Sequence, residues 1–133
     1  MNNFALLLVL ALFTSQLLIA NAGPYHVYIQ NGFKDSILGA HCKSKDNDLG
    51  LQYIAINGEF QWKFRSNFFH TTLFFCDLSW VGGHQTFDAF VDEDDFLGKN
   101  CAGYDCYWKA QEDGIYSFNP GTRKYELQYT WEH

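Results

Sequence analysis

The sequence predicts an all-β fold: a small antiparallel β-sandwich, immunoglobulin-like in size, with about seven to eight strands and two disulfides. Three observations predict it. Apolar and polar residues alternate with period two along much of the chain. Strong turn signals recur at intervals of roughly ten residues. Four cysteines, Cys42, Cys76, Cys101 and Cys106, make an even count in a short chain.

The first segment stands apart from this pattern. Residues Phe4 to Ala20 form an apolar run, interrupted by Thr14, Ser15 and Gln16, that is too short for a comfortable membrane span. It ends in Ala20-Asn21-Ala22, a small-x-small cleavage pattern, so residues 1–22 read as a secretory signal peptide cut after Ala22. Met1-Asn2-Asn3 has no Lys or Arg, so its positive charge comes from the amino terminus alone. Residues 23–133 remain, about 111 residues, which suits one domain. No later stretch is apolar enough to insert in a membrane.

Strand follows strand from there. Val27 and Ile29 alternate with His26, Tyr28 and Gln30. Short strands follow over Ile37 to Lys43 and Leu51 to Ile56. Phe60, Trp62 and Phe64 then alternate with Gln61, Lys63 and Arg65. Leu73 to Trp80 is apolar at both parities, as in a central strand buried on both faces. Phe87, Ala89 and Val91 share a face. Cys106 to Ala110 and Ile115 to Phe118 are short strands. The last run sets Tyr125, Leu127, Tyr129 and Trp131 against Glu126, Gln128 and Thr130. Asn31-Gly32, Asn57-Gly58, Gly82-Gly83, Asp113-Gly114 and Asn119-Pro120-Gly121 supply the turns. No helical stripe is evident, and Asp92 to Asp105 reads as the longest loop.

Composition narrows function. The formal net charge is −6. That balance is poorly suited to nucleic acid, to anionic membrane surfaces or to a cationic lytic role. An exported chain meets oxidising conditions, so the cysteines read as disulfides rather than a metal site, although the spacing of Cys101 and Cys106 is one that metal sites tolerate. Three pairings are possible. Inward parity on strands favours Cys42 with Cys106 and Cys76 with Cys101, bridging the core.

The segment His41-Cys42-Lys43-Ser44-Lys45-Asp46-Asn47-Asp48-Leu49-Gly50 is the most distinctive stretch. As a turn it needs only structure: Asp and Asn hold it, Gly50 takes an unusual backbone angle and Leu49 pins it. As a surface it displays both charge signs. It is not a calcium loop, because the glycine falls one place early and Asn57 stands where a bidentate Glu belongs. The acidic run Asp92-Glu93-Asp94-Asp95 reads as a solvated loop to which a basic partner could be steered. His41 and His70 are the pair a small hydrolase would use, but no basic substrate groove accompanies them. Trp62, Trp80, Trp108 and Trp131 could form a sugar-stacking platform, although the parity of three of them suggests core. No nucleophile elbow, phosphate loop or redox Cys-x-x-Cys is present, and no cofactor is expected.

Several pieces, in order, resemble the plant self-incompatibility S-protein homologue family. They are Val27-Tyr28-Ile29-Gln30-Asn31, the decapeptide from His41 to Gly50, and Phe60-Gln61-Trp62-Lys63-Phe64. Thr72-Leu73-Phe74-Phe75-Cys76-Asp77-Leu78-Ser79-Trp80 follows, then Cys101, Cys106-Tyr107-Trp108 and Asp113-Gly114-Ile115-Tyr116. The resemblance implies a small secreted, disulfide-bonded β-sandwich that signals without catalysis. Founding members are pistil proteins that act as ligands for a pollen membrane receptor and trigger rejection of self pollen; most homologues have no assigned partner and are expressed outside that context. Some members carry an Asn-x-Ser/Thr sequon, which this chain lacks.

The expectation is therefore a secreted, monomeric ligand of a plant cell-surface receptor. Its contacts would come from Lys45, Asp46, Asp48, Asp92, Glu93, Asp94 and Asp95. An extracellular carbohydrate-binding wall protein is the alternative.

Overall fold

The computed structural model describes residues 23–133. The signal-peptide reading therefore falls outside the described residues. Ten strands and one helix follow in order: β1 (Tyr25–Asn31), β2 (Leu38–Lys43), β3 (Asp48–Ile54), β4 (Glu59–Phe64), β5 (Leu73–Trp80), β6 (Gly83–Val91), α1 (Asp94–Asn100), β7 (Cys101–Ala102), β8 (Asp105–Gln111), β9 (Gly114–Asn119) and β10 (Lys124–Tyr129). They form two sheets. One runs β10-β9-β8-β1-β4, with β7 beside β8; the other runs β3-β2-β5-β6.

The expected sandwich is present. One pairing departs from the antiparallel expectation: β1 lies parallel to β8, with Val27 opposite Cys106 and Ile29 opposite Trp108. The chain visits the second sheet twice, for β2 and β3 between β1 and β4 and for β5 and β6 after β4, and then re-enters the first beside β1 running the same way. Such a return needs a long crossover rather than a hairpin.

Period two places the core. Val27, Ile29, Ala40, Cys42, Cys76, Leu78, Trp108 and Ala110 are all at or near zero exposure. Trp108 donates its indole N–H to the Ala89 carbonyl at 2.9 Å, a polar tie from the first sheet to the second. Asn31, which ends β1, is buried and fully used. Its amide donates to the Ser36 and Ile54 carbonyls, and its oxygen accepts from the Phe33 amide. The Asn that closes the first family-like motif is thus a bracket for the β1–β2 connection.

Two bulges alter the parity read from sequence. Between Phe74 and Phe75 the β5–β6 register slips, and Ala89 and Phe90 both turn inward. Between Leu127 and Tyr129 the β9–β10 register slips again. Tyr125 therefore sits on the outer face, donating to Gln30, while Tyr129 packs inside against Phe87 and Trp108. An inserted residue reverses the alternation beyond it. Strand β5 is central but buried on one face only: exposed Asp77 and Ser79 alternate with buried Cys76 and Leu78.

The disulfides correct the expected pairing. Cys42 bonds Cys76, directly opposite on β2 and β5 with Cα atoms 4.0 Å apart, and Cys101 bonds Cys106 across the β7–β8 hairpin. Each bridge staples one sheet. Neither Cys42–Cys106 nor Cys76–Cys101 forms, because strand pairing sets each cysteine directly opposite its partner within one sheet.

The expected loop from Asp92 to Asp105 also differs. Asp94–Asn100 is helical, with Asp94 and Asp95 in its first turn and Lys99 in its last. That charge order complements the helix dipole. Asn100 accepts from the buried Ser117 hydroxyl at 2.7 Å, fixing the helix to β9.

Candidate functional site: a loop-walled groove at one end of the sandwich

A concavity of about 530 Å³ opens at one end of the second sheet. Its walls are the β2–β3 turn (Ser44, Lys45, Asp46, Asn47) and the β4–β5 loop (Arg65, Asn67, Thr71, Thr72); Phe64, Leu73, Phe74 and Phe75 form the floor. Two distant sequence motifs meet here.

The β2–β3 turn is tightly built. The Ser44 amide donates to the Asn47 carbonyl, and the Asn47 amide donates back to the Ser44 hydroxyl. Asp48 accepts from the Gly50 amide at 2.9 Å and sits 2.6 Å from His41 Nε2. The Gly50 amide, then the His41 hydrogen bond, holds the Asp48 carboxyl below the usual carboxylate range. Gly50 has φ +76°, the left-handed conformation for which glycine suits this position. Lys45 and Asp46 are left exposed at the tip.

The β4–β5 loop is built as firmly. The Asn67 side chain accepts from the Thr71 amide and donates to the Thr71 hydroxyl, and the Asn67 amide donates to the Thr72 hydroxyl. Asp92 closes the loop from outside, accepting from Ser66 and lying 2.8 Å from His70 Nδ1. The Asp92 side chain is only 9% exposed. It is a structural tie rather than part of an open acidic run. Glu93, Asp94 and Asp95 are exposed beside it. Tyr25, under this end, has its phenol pushed up by burial first and then by the charge of Asp92, with Asp94 adding to it.

Of the seven residues expected to meet a partner, then, Lys45 and Asp46 stand on the groove wall, while Glu93, Asp94 and Asp95 extend from Asp92, which is bonded to the opposite wall. Asp48 and Asp92 each hold a histidine. His41 and His70 are consequently tied to different carboxylates on different loops. The sequence reading missed Phe68 and Phe69, 89% and 79% exposed at the tip of the β4–β5 loop. The signal was available: two adjacent aromatics between Ser66-Asn67 and His70-Thr71-Thr72, a polar setting unlike any strand.

The tryptophans do not form a platform. Trp62, Trp108 and Trp131 are buried, and Trp80 stacks on Phe33 at 4.3 Å. A different aromatic row crosses the outer face of the first sheet, where Tyr28 stacks between His26 and Tyr107 at 4.2 and 4.5 Å. There the rings cover one another's faces.

The fold and this end of it define a class: a small, disulfide-stapled sandwich that displays structured loops. Residues 26–131 match the plant self-incompatibility protein S1 family, and the chain belongs to it. It is 42% identical over 106 residues to S-protein homolog 24 of Arabidopsis thaliana, covering 79% of this chain and 67% of that one. Against S-protein homolog 3 of the same plant it is 35% identical over 106 residues, covering 79% and 71%. Self-incompatibility protein S1 of Papaver rhoeas is 40% identical over 86 residues, covering 62% of this chain and 58% of that one. A solved structure of an SPH (self-incompatibility protein homologue) protein, from a widespread family of small, highly stable, secreted plant proteins, superposes with a TM-score of 0.65. Its identity is 19%, and it covers 86% of this chain and 99% of that one. Family membership places the chain among secreted proteins, and among the described residues no helix is long and apolar enough to cross a membrane.

Proposed function

We propose that this protein is an extracellular signalling ligand that engages a plant cell-surface receptor through the grooved end of the sandwich. Family membership supports the signalling class. The observation that carries the assignment to this end is the convergence of the β2–β3 turn and the β4–β5 loop around one groove. Lys45, Asp46, Glu93, Asp94 and Asp95 are the contacts, and Asp48 and Asp92 position them. Both loops are held by internal hydrogen bonds, so little ordering entropy is lost on docking. Binding that favours one receptor conformation shifts its population, and the ligand needs no chemistry of its own.

The test is a loop exchange. Residues 44–47 and 92–95 are replaced together by those of S-protein homolog 24, and each secreted protein is titrated onto plasma-membrane vesicles from the plant's own tissues. The exchange is expected to lower affinity at least tenfold. Unchanged affinity would move the contact surface elsewhere.

A further inference from the structure

The tip of the β4–β5 loop combines two properties that rarely occur together. Its backbone is fixed: the His70 amide donates to the Asn67 carbonyl, Asn67 is bonded to both Thr71 and Thr72, and Asp92 ties Ser66 and His70 to the body. Yet its two largest side chains, Phe68 and Phe69, stand in solvent, in edge-to-face contact with each other at 5.4 Å. A loop whose aromatics merely failed to find the core would not need this bracing. His70 adopts φ +55°, an uncommon conformation for a residue other than glycine, and so turns the chain sharply just after the two rings.

We propose that Phe68 and Phe69 are the two-ring anchor of the ligand, inserting together into an apolar pocket, rimmed by lysine or arginine, on a protein partner. The proposal rests on the receptor-ligand reading above and names the residues that dominate it. Aromatic side chains held rigid bury a large area at small entropic cost, and such anchors carry most of the binding energy of an interface.

Charge decides between a protein pocket and a lipid surface. Exposed Asp46 stands with Lys45 and Arg65 on the groove that the loop helps to wall, and exposed Glu93, Asp94 and Asp95 follow directly on Asp92, which is bonded to Ser66 and His70 on either side of the rings. The whole chain is at −6. Inserting the rings into a bilayer would press these carboxylates against zwitterionic headgroups that carry no net positive charge, and anionic lipid would repel them. A basic rim around a protein pocket attracts them and speeds encounter.

Labelled protein secreted from the full-length chain is titrated onto three surfaces: plasma-membrane vesicles from the plant's own tissues, the same vesicles after protease treatment, and protein-free phosphatidylcholine vesicles. F68S/F69S is compared with wild type, and D46K/E93Q tests the rim. Near-ultraviolet circular dichroism confirms the fold of each, as expected for exposed positions. Wild type is expected to bind only the untreated vesicles, saturably. F68S/F69S should raise Kd about 100-fold, mainly through faster dissociation. D46K/E93Q and added salt should slow association. Wild-type affinity in F68S/F69S would sink the anchor and leave the receptor reading standing. No saturable wild-type binding to untreated vesicles would sink both. Phe-dependent binding to the phosphatidylcholine or protease-treated vesicles would overturn the protein pocket in favour of lipid. An association rate indifferent to D46K/E93Q and to salt would overturn the basic rim.

Discussion

Strand β5 joins two ends of the molecule that treat aromatic residues in opposite ways. At its far end Trp80 stacks on Phe33 and meets Trp131 at 5.9 Å, and the Trp131 indole donates to the Gln111 carbonyl at 2.7 Å. The chain closes over this cluster, with Glu132 bridging to His84 on β6. At its near end, just before Leu73, Phe68 and Phe69 point away from the body on a braced loop. The residue chemistry is similar; the hydrogen bonds differ in purpose. At the closed end the bond from Trp131 satisfies its own indole N–H, while the buried Trp80 indole nitrogen has no partner among the described residues; at the open end the bonds hold backbone so that rings stay out.

That contrast can be broken or sharpened by substitution. Trp131→Ala removes the ring that seals the closed end and should cost about 3–5 kcal/mol, read from urea denaturation. Replacing Cys42 and Cys76 together by Ala removes a bridge between residues 34 apart and should cost about 2–4 kcal/mol, with both ends loosened because β2 and β5 span them. Asp92→Ala frees Ser66 and His70 and should cost about 1–3 kcal/mol. Hydrogen exchange should rise in residues 66–72 and not around Trp131.

Asp48→Asn tests the other wall. The Asp48 carboxyl is held below its ordinary range, so its contribution is complete above the ordinary carboxylate pKa and is lost as pH falls through the lowered folded value. Thermal denaturation across acid pH should show that loss in wild type and a flatter limb in Asp48→Asn. The smallest effect belongs to Phe68→Ser with Phe69→Ser, expected to change stability by no more than about 0.5 kcal/mol. A larger loss would show the tip rings to be packed like those of the closed end, and the comparison would fail.

Much of this architecture is legible in the sequence because β-strands advertise themselves by alternation. Val27 and Ile29 face the core as the pattern says, and the Asn57-Gly58 turn takes the left-handed φ of +64° at Asn57 that its sequence suits. What alternation cannot show is an inserted residue, so Tyr125 and Tyr129 were read on one face and stand on opposite faces. Helix α1 was hidden because its seven residues complete under two turns, too few for a stripe beside four acidic residues. The cysteines kept their register secret: inward parity is common to a bridge across the core and a bridge along a sheet, and only the strand order separates them. The site was half legible. Charge marked Lys45, Asp46 and the acidic run, but the polar setting of Phe68 and Phe69 marks only a loop, and their exposure on a braced backbone shows in the structure alone.

The parallel pairing of β1 with β8 sets the timetable of assembly. The first strand of the described residues lies inside its sheet, between β4 and β8, and residues 26–31 wait for residues 105–110 before their second edge is covered. A ribosome-bound or half-translocated chain must therefore hold an uncapped strand until nearly the last hairpin arrives. Such distant closure is slow, and until it is complete the open edge of that strand is free to pair with another chain.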